Sequence, residues 1–578
     1  MAAKGDFVSR LPKIYGMYTG GFIAFVIFLA IAEQMGMQPK MIGYIFMAAT
    51  IGLYAMIGIM SRTGQVDEYY VAGRRVPAFY NGMATGADWM SAASFIGMAG
   101  TLYAQGYDGL AFVMGWTGGY VLVALFLAPF LRKFGQYTIP DFLGARYGGN
   151  AARTIGIIAA ITASFTYVIA QITGAGIIVS RFLEIDFIYG VFFGLGGILV
   201  CSMLGGMRAV TWTQVAQYII LIIAYLTPIV WLSIQVTGNP IPQLAYGQAL
   251  QEIALLEQSI GVTAPHATPF NITDRANFMA LTFCLMIGTA ALPHILMRFY
   301  TTPSVKEARQ SVGWSLFFIF LLYFSAPAYA AFAKLEVYKN VIGSAIADLP
   351  AWVASWSKVG LVQVNDANGD GILQLTELVL NSDAIVLATP EIAGLPYVIA
   401  GLVAAGGLAA ALSTADGLLL TISNALSHDV YYKMINPAAT TARRLAIARV
   451  LLVAVAIVAA YVASFRPAGI LAIVAWAFSI AGAAFFPALT MGIFWKRANR
   501  AGAVTGMIVG FAVTLFYLIG VQFFAMPKWF GINAVSAGIF GIPAGFITIW
   551  VVSMLTREPS QEIKDMVEDL RYPRLVKA

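Results

Sequence analysis

FYNGMATGADWMSAASFIGMAGTLYAQGYDG, residues 79 to 109, is apolar enough to enter a bilayer yet is broken by its own composition. Gly82, Gly86, Gly97 and Gly100 interrupt it, and an ionisable Asp88 sits in its interior. Such interruptions loosen a helix, and the freed amides and carbonyls then need an ion, a solute or water. A second stretch behaves the same way: ALTFCLMIGTAALPHILMRFY, residues 280 to 300, carries Gly288, Thr289, Pro293 and His294 where apolar continuity is expected. Two glycine-rich packing helices would share part of this pattern.

The surroundings of these stretches are membrane-like. The 578 residues are 60% hydrophobic and 11% charged, with mean hydropathy +0.79, and a bilayer span needs about 20 apolar residues. Fourteen segments meet that need, centred near residues 27, 51, 90, 120, 166, 194, 222, 288, 321, 408, 454, 481, 512 and 544. The first ends in AEQMGMQPK without a small-residue cleavage site, so it reads as a retained span rather than a signal peptide. With the N-terminus inside, the inner segments hold 26 of the 34 Lys and Arg, so the positive-inside rule places both termini in the cytoplasm. The net charge of +7 follows from that asymmetry and gives no reason to invoke nucleic acid. Cys201 and Cys284 both fall in expected spans, which suggests neither a disulfide framework nor a zinc site. No phosphate loop, His-Glu-x-x-His or nucleophile elbow is present, so the chain reads as a non-enzyme.

The broken segments are the third and the eighth. An odd offset of five makes them enter the membrane in opposite directions, as a five-plus-five inverted repeat requires. A further polar cluster lies in the tenth segment, VAAGGLAAALSTADGLLLTISNALSHDVY. There Ala410, Ser413 and Thr414 share one helix face, with Asp416 about 60° further round. A charge at mid-membrane costs at least about 2.5–3.5 kcal/mol, which makes Asp88 and Asp416 functional candidates. Ser and Thr alone mean less, since they often bond the preceding turn's carbonyl.

Outside the spans lie two long external loops, about 237–276 and 337–392. The second contains DANGDGILQLTE, residues 366 to 377, with calcium-loop spacing. Asp366, Asn368 and Asp370 take ligand positions 1, 3 and 5, and Gly371 takes the turn at position 6. Ile372 offers a carbonyl, Gln374 a water contact and Glu377 the bidentate carboxylate. The expected role is a structural Ca2+ clip on an outer loop; an acidic turn that binds nothing is the alternative.

These segments resemble the sodium:solute symporter family from about residue 41 to 525. The resemblance is carried by YYVAGRRVPAFYNGMATGADWMSAASFIGMAG, GGMRAVTWTQ and SHDVYY. Within that family, SAASFIGMAGTLYAQGYDG and GTAALPHILMRFYTTPSVKEARQSV look most like the acetate-permease and monocarboxylate branch. The resemblance implies an all-α polytopic protein with a LeuT-type five-plus-five inverted repeat and about fourteen transmembrane helices. Residues 1–70 would be two helices outside the core, 71–236 the first repeat, and 277–336 with 393–500 the second. The external loops 237–276 and 337–392 would interrupt this order. Residues 501–556 would add two helices, and 557–578 a cytoplasmic tail.

The family's sodium site maps onto the carbonyls of Ala87, Met90 and Ala410 and the hydroxyls of Ser413 and Thr414. The Ser-Thr pair favours sodium over proton coupling, whereas Gln214, where some relatives carry an Asp, puts a second sodium in doubt. Solute contacts are expected from Trp89, Gln171, Gly288, Thr289 and His294. Half-helix N-termini present amides to a carboxylate. Interhelical bonding is the alternative for Gln171 and His294, and Arg298 reads as an inner-face anchor. The implied function is sodium-coupled import of a short monocarboxylate such as acetate, propionate, lactate or pyruvate across a bacterial inner membrane. Relatives in this branch sometimes occur with a small membrane subunit. The alternatives are a proton-coupled permease using Asp88 or Asp416, and a sodium symporter of another small solute such as an amino acid.

Overall fold

The computed structural model describes residues 2–572, with the backbone alone for residues 2–7, Val200, Cys201 and Leu204. The last six residues of the expected tail and the side chain of Cys201 therefore lie outside the described residues. Among those residues, twelve helices are long and apolar enough to cross a membrane. Fourteen segments are expected from the sequence, and the difference has two sources. The second half of the third expected segment runs into the fourth as Ala93–Phe126, because the tight turn Gly106–Gly109 joins them without a loop. The sixth is the shorter apolar helix Phe187–Leu199. It passes directly into the seventh through Gly206, whose φ of 55° and ψ of −143° suit only a residue without Cβ.

Both segments are interrupted, the second at Pro293 as its composition suggests and the first at Met90, with Gly82 and Gly86 inside an intact helix. The helix Ala78–Trp89 stops at Met90, whose ψ of 68° is not helical, and the chain resumes through a wide turn, Ala93–Gly97, into Met98–Gln105. The helix Arg275–Thr289 stops likewise, Leu292 is extended at φ −68° and ψ 119°, and Pro293–Met297 begins a new turn. Pro293 stands at its first position, where its missing N–H costs nothing.

Against these breaks packs the helix Tyr397–Asn424, buried at every residue from Val398 onward. Such complete burial explains its run of Ala and Gly, since small residues let neighbouring backbones approach. The helices Asn150–Leu183, Phe187–Thr237 and Ile470–Phe494 complete the centre. By contrast, the first helix exposes Met17, Ile23, Ile27, Phe28 and Ile31, the surface a lipid-facing helix presents.

The long connections are more ordered than their composition suggests. One contains the helix Pro242–Ser259. The other contains Ala351–Ser357 and a two-stranded antiparallel ladder, Val362–Val364 with Leu378–Leu380, so the all-helical expectation fails at that point. The ladder closes the base of the 366–377 loop, and Val362 of the ladder and Leu373 of the loop are buried.

Candidate functional site

The first break and the buried helix facing it meet through oxygen atoms. Ser413 Oγ donates to the Ala87 carbonyl at 2.8 Å and lies 2.9 Å from the Ala410 carbonyl. Thr414 Oγ1 donates to the Asp88 carbonyl at 2.8 Å, with the Ala410 carbonyl 3.4 Å away. Ala87, Ala410, Ser413 and Thr414 are thus brought together as the sequence leads one to expect. The exception is the carbonyl that Thr414 meets. It belongs to Asp88, where Met90 was expected; Met90 is buried at the break itself, its N–H bonded to Gly86. The spacing of residues along an unwound turn does not reveal which carbonyl turns toward a neighbour, so this partner was not legible beforehand.

The break also exposes amides on its far side. The Gln171 side chain accepts from the Ala92 N–H at 2.8 Å, so its oxygen makes the interhelical bond held as the alternative. Its Nε2 remains without a partner. Trp116 Nε1 and the two ring nitrogens of His294, one a donor and one an acceptor in the neutral imidazole, are also buried without a partner, whereas Trp89 faces Tyr323 and the Tyr120 hydroxyl faces Ser315 and Thr85. Aromatic rings join them into one group. Trp89 meets Tyr120 and Phe478 at centroid distances of 5.9 and 5.7 Å, Trp116 meets Phe478 at 5.8 Å, and Tyr167 meets His294 at 5.5 Å. Buried polar groups are normally paired, and Gln171, Trp116 and His294 depart from that here. Thr289 differs, because its hydroxyl donates to its own helix at Leu285, 2.6 Å away. Gly288 packs so closely on Phe478 that an added Cβ would lie 2.4 Å from the Phe478 carbonyl oxygen. Trp116, Tyr120 and Phe478 belong to the group, although as aromatic residues within apolar spans they carry no local signal that sets them apart.

Arg298 requires a correction. It is no inner-face anchor: it is fully buried and its Nε donates to Asp88 Oδ2 at 2.9 Å. Its other nitrogens reach Thr211 Oγ1 at 3.1 Å and the Gln214 side-chain oxygen. Gln214 in turn donates to the Ser413 carbonyl at 2.7 Å. A buried charge is tolerated only when paired and bonded, and here one chain of contacts ties the break at Asp88 to the helix bearing Ser413. Asp88 is thereby engaged in an ion pair. Asp416 instead accepts from Ser202, leaving Oδ2 without a partner.

Away from the membrane centre, the 366–377 loop is already curled on itself. Asp366 accepts from Gly369 and Gly371 at 2.8 and 3.1 Å, and Asp370 from Ile372 at 2.8 Å. Asn368 accepts from Asp370 at 3.0 Å, and Gln374 donates to Asp370 at 2.9 Å. Glu377 is buried and accepts from Ala367 and Gln374 at 2.9 and 3.0 Å. Leu373 joins the loop to Gly343 and Ser344 through backbone bonds of 2.8 and 2.9 Å.

Comparison with known proteins bears on all of this. The family model described as the Sodium:solute symporter family matches residues 69–348 and 374–510. An uncharacterised symporter of Cupriavidus necator is 45% identical, covering 98% of this chain and 99% of its own. A monocarboxylic acid transporter of Corynebacterium glutamicum is 27% identical over 92% of this chain and 94% of its own. Among solved structures, the substrate-bound outward-open state of a Na+-coupled sialic acid symporter superposes with a TM-score of 0.69 at 19% identity. That match covers 90% of this chain and 99% of the symporter. At that identity the likeness speaks for the fold.

Proposed function

The chain belongs to the sodium:solute symporter family, and from that premise we propose that it imports a short-chain monocarboxylate together with sodium. A sodium-coupled transporter of a small solute, embedded in a membrane by many helices, follows from the family and the twelve apolar helices. The solute class, the ion ligands and the orientation are our reading. It takes fourteen crossings, both termini in the cytoplasm and a bacterial inner membrane, as the Lys and Arg distribution favours.

One observation carries the ion assignment. Two hydroxyls, Ser413 and Thr414, each lie within hydrogen-bond distance of a carbonyl of the broken helix and of the Ala410 carbonyl they share. Five oxygens without formal charge suit a monovalent hard ion held where unwinding exposes carbonyls. Ser413, Thr414, Ala87, Asp88 and Ala410 would hold sodium, whose positive charge would favour an anion nearby. The solute's carboxylate would accept from Gln171 Nε2 and the His294 N–H, with Trp89 beside them, while its short apolar part rests among Trp116, Tyr120 and Phe478. No free cation faces this group among the described residues, since Arg298 is committed to Asp88, so the anion's counter-charge would come from the bound ion.

A proton-coupled cycle is the second reading, favoured by the free Oδ2 of Asp416. Uptake of labelled acetate, propionate, lactate and pyruvate into proteoliposomes, under imposed sodium or proton gradients, separates the two. Uptake that follows the proton gradient and ignores sodium would defeat our reading. Uptake of none of these acids, with sodium-driven uptake of an amino acid, would keep the coupling and replace the solute.

The 366–377 loop adds a structural calcium clip to this proposal. Its spacing supplies the ligands, and the backbone bonds that curl the loop around Asp366, Asp370 and Glu377 support it. An affinity near 10⁻⁴–10⁻³ M is expected for such an extracellular module.

A further inference from the structure

At the end of the bundle where the helices starting at Arg275, Ile470 and Gly538 begin, the structure contains a cavity of about 240 Å³. Its wall is mixed: Thr101, Gln105, Thr273, Asn277 and Ser536 line it together with Asp383, alongside apolar residues such as Phe112 and Leu281. Asp383 lies on the connection that follows the 366–377 loop, in the tight turn Ser382–Ala384. That turn is pressed onto the second half of the first broken segment, where an added Cβ at Gly100 would lie only 1.9 Å from the Ser382 carbonyl oxygen.

The surroundings of the carboxylate are unusual. Asp383 is 5% exposed, and Oδ2 accepts only a 3.3 Å bond from the Ile470 N–H. Oδ1 has no partner, and neither has the buried Ser536 hydroxyl on the cavity wall. Arg466, the charged group whose field reaches Asp383, points elsewhere: it lies 3.7 Å over the Phe187 ring and donates to Val359, with no ion pair to the carboxylate. A buried carboxylate oxygen without a donor is costly, so this site has the negative half of an interaction and lacks the positive half.

We propose that this cavity is a second cation site, separate from the mid-membrane one, which takes a monovalent metal cation with Asp383 as its charged ligand. The charge count sets the class of ion. One carboxylate among neutral oxygens matches a single positive charge, whereas calcium sites recruit several carboxylates. The size agrees, because about 240 Å³ is several times the roughly 30 Å³ share of one water, leaving a small ion part of its hydration. Protonation does not remove the charge at neutral pH: burial pushes the Asp383 carboxyl up to about 6, against the pull of the Ile470 amide and Arg466. An anionic solute would be repelled here, so the cavity is no second solute site.

Binding of 22Na+ to the purified full-length protein tests this without transport. The wild type should bind two ions, with Ser413→Ala/Thr414→Ala removing one and Asp383→Asn removing the other. Should Asp383→Asn fail to fold, the pair Thr101→Val and Gln105→Leu alters the cavity wall without touching the carboxylate. It should weaken the same component about tenfold. A folded Asp383→Asn protein that keeps the wild-type stoichiometry and affinity would overturn the proposal and leave Asp383 as a clasp on the helix starting at Ile470. Binding lost with Asp383→Asn but unmoved by the Ser413 and Thr414 changes would uphold this site and overturn the mid-membrane one.

Discussion

Two regions of this chain gather oxygen atoms, and they do so with opposite use of charge. At the first break, five oxygens from Ala87, Asp88, Ala410, Ser413 and Thr414 meet without any formal charge, and the carboxylate of Asp88 is turned away to Arg298. In the 366–377 loop, three carboxylates lie within twelve consecutive residues, and each is held by backbone amides. The difference follows from the medium. Within the bundle an uncompensated charge is expensive, so neutral dipoles form the ion cradle and the one carboxylate beside it is given a permanent counter-ion. At the surface water tolerates several carboxylates, and those can compete for a divalent ion. The Asp383 cavity lies between these extremes, with one buried charge and no counter-ion.

Breaking the Asp88–Arg298 pair should have the largest effect. Arg298→Met strands a fully buried carboxylate and also removes the bonds to Thr211 and Gln214. A loss of about 3–5 kcal/mol is expected, read as a collapse of the folded yield in detergent. Adding Asp88→Asn should recover much of that yield. If the double variant is no better than the single one, the pair is not what holds this region together.

A smaller effect belongs to Asp383 and depends on pH. The unfolded chain releases this proton near 3.8, whereas the folded protein holds it to about 6. Ionisation therefore favours the unfolded state across that window, and stability falls as pH rises from about 4 to about 6. The shift corresponds to about 3 kcal/mol at most. In sodium-free buffer, Asp383→Asn should flatten this part of the melting profile relative to wild type. Parallel profiles would show that the carboxylate is already compensated, removing the contrast with the mid-membrane cradle.

Ser413→Ala with Thr414→Ala deletes two of five neutral oxygens and leaves the helix intact. The sodium concentration for half-maximal uptake should rise at least about tenfold, which is roughly 1.4 kcal/mol. Unchanged sodium dependence would move the ion elsewhere. The smallest effect is expected at the surface. With calcium near 1 mM and an affinity of 10⁻⁴–10⁻³ M, ligand linkage contributes about 0.4–1.4 kcal/mol. Glu377→Gln should remove that calcium-dependent rise in melting temperature and leave sodium-driven uptake nearly intact. A wild-type melting temperature indifferent to calcium would reduce the loop to a chance match of spacing.

How far the sequence reached differs between these regions. The calcium-like loop is legible because all its candidate ligands lie within twelve consecutive residues. The 349–373 stretch, which holds most of them, falls between the two matched parts of the family model. Of the breaks, the second was legible at its position, since Pro293 starts a new turn where it stands, whereas the first falls at Met90, beyond Gly82 and Gly86, which stay helical and pack against Trp314 and Phe318. Arg298 was misjudged for a corresponding reason. A basic residue near the end of an apolar run reaches water easily when nothing opposes it, and the opposing carboxylate lies 210 residues earlier.

The sequence by itself determined that the chain lies in a membrane, that two of its spans are interrupted, and that Ser413 and Thr414 share a helix face. These are consequences of hydropathy and of helical periodicity, both of which act over a few turns. Only the tertiary structure decided that Thr414 meets the carbonyl of Asp88, that Gln171 caps the amide freed at Ala92, and that Asp383 keeps one oxygen bare beside a cavity. Each of those depends on how distant helices are rotated and set against one another. That rotation is fixed by the packing of the whole bundle, and no local pattern of residues encodes it.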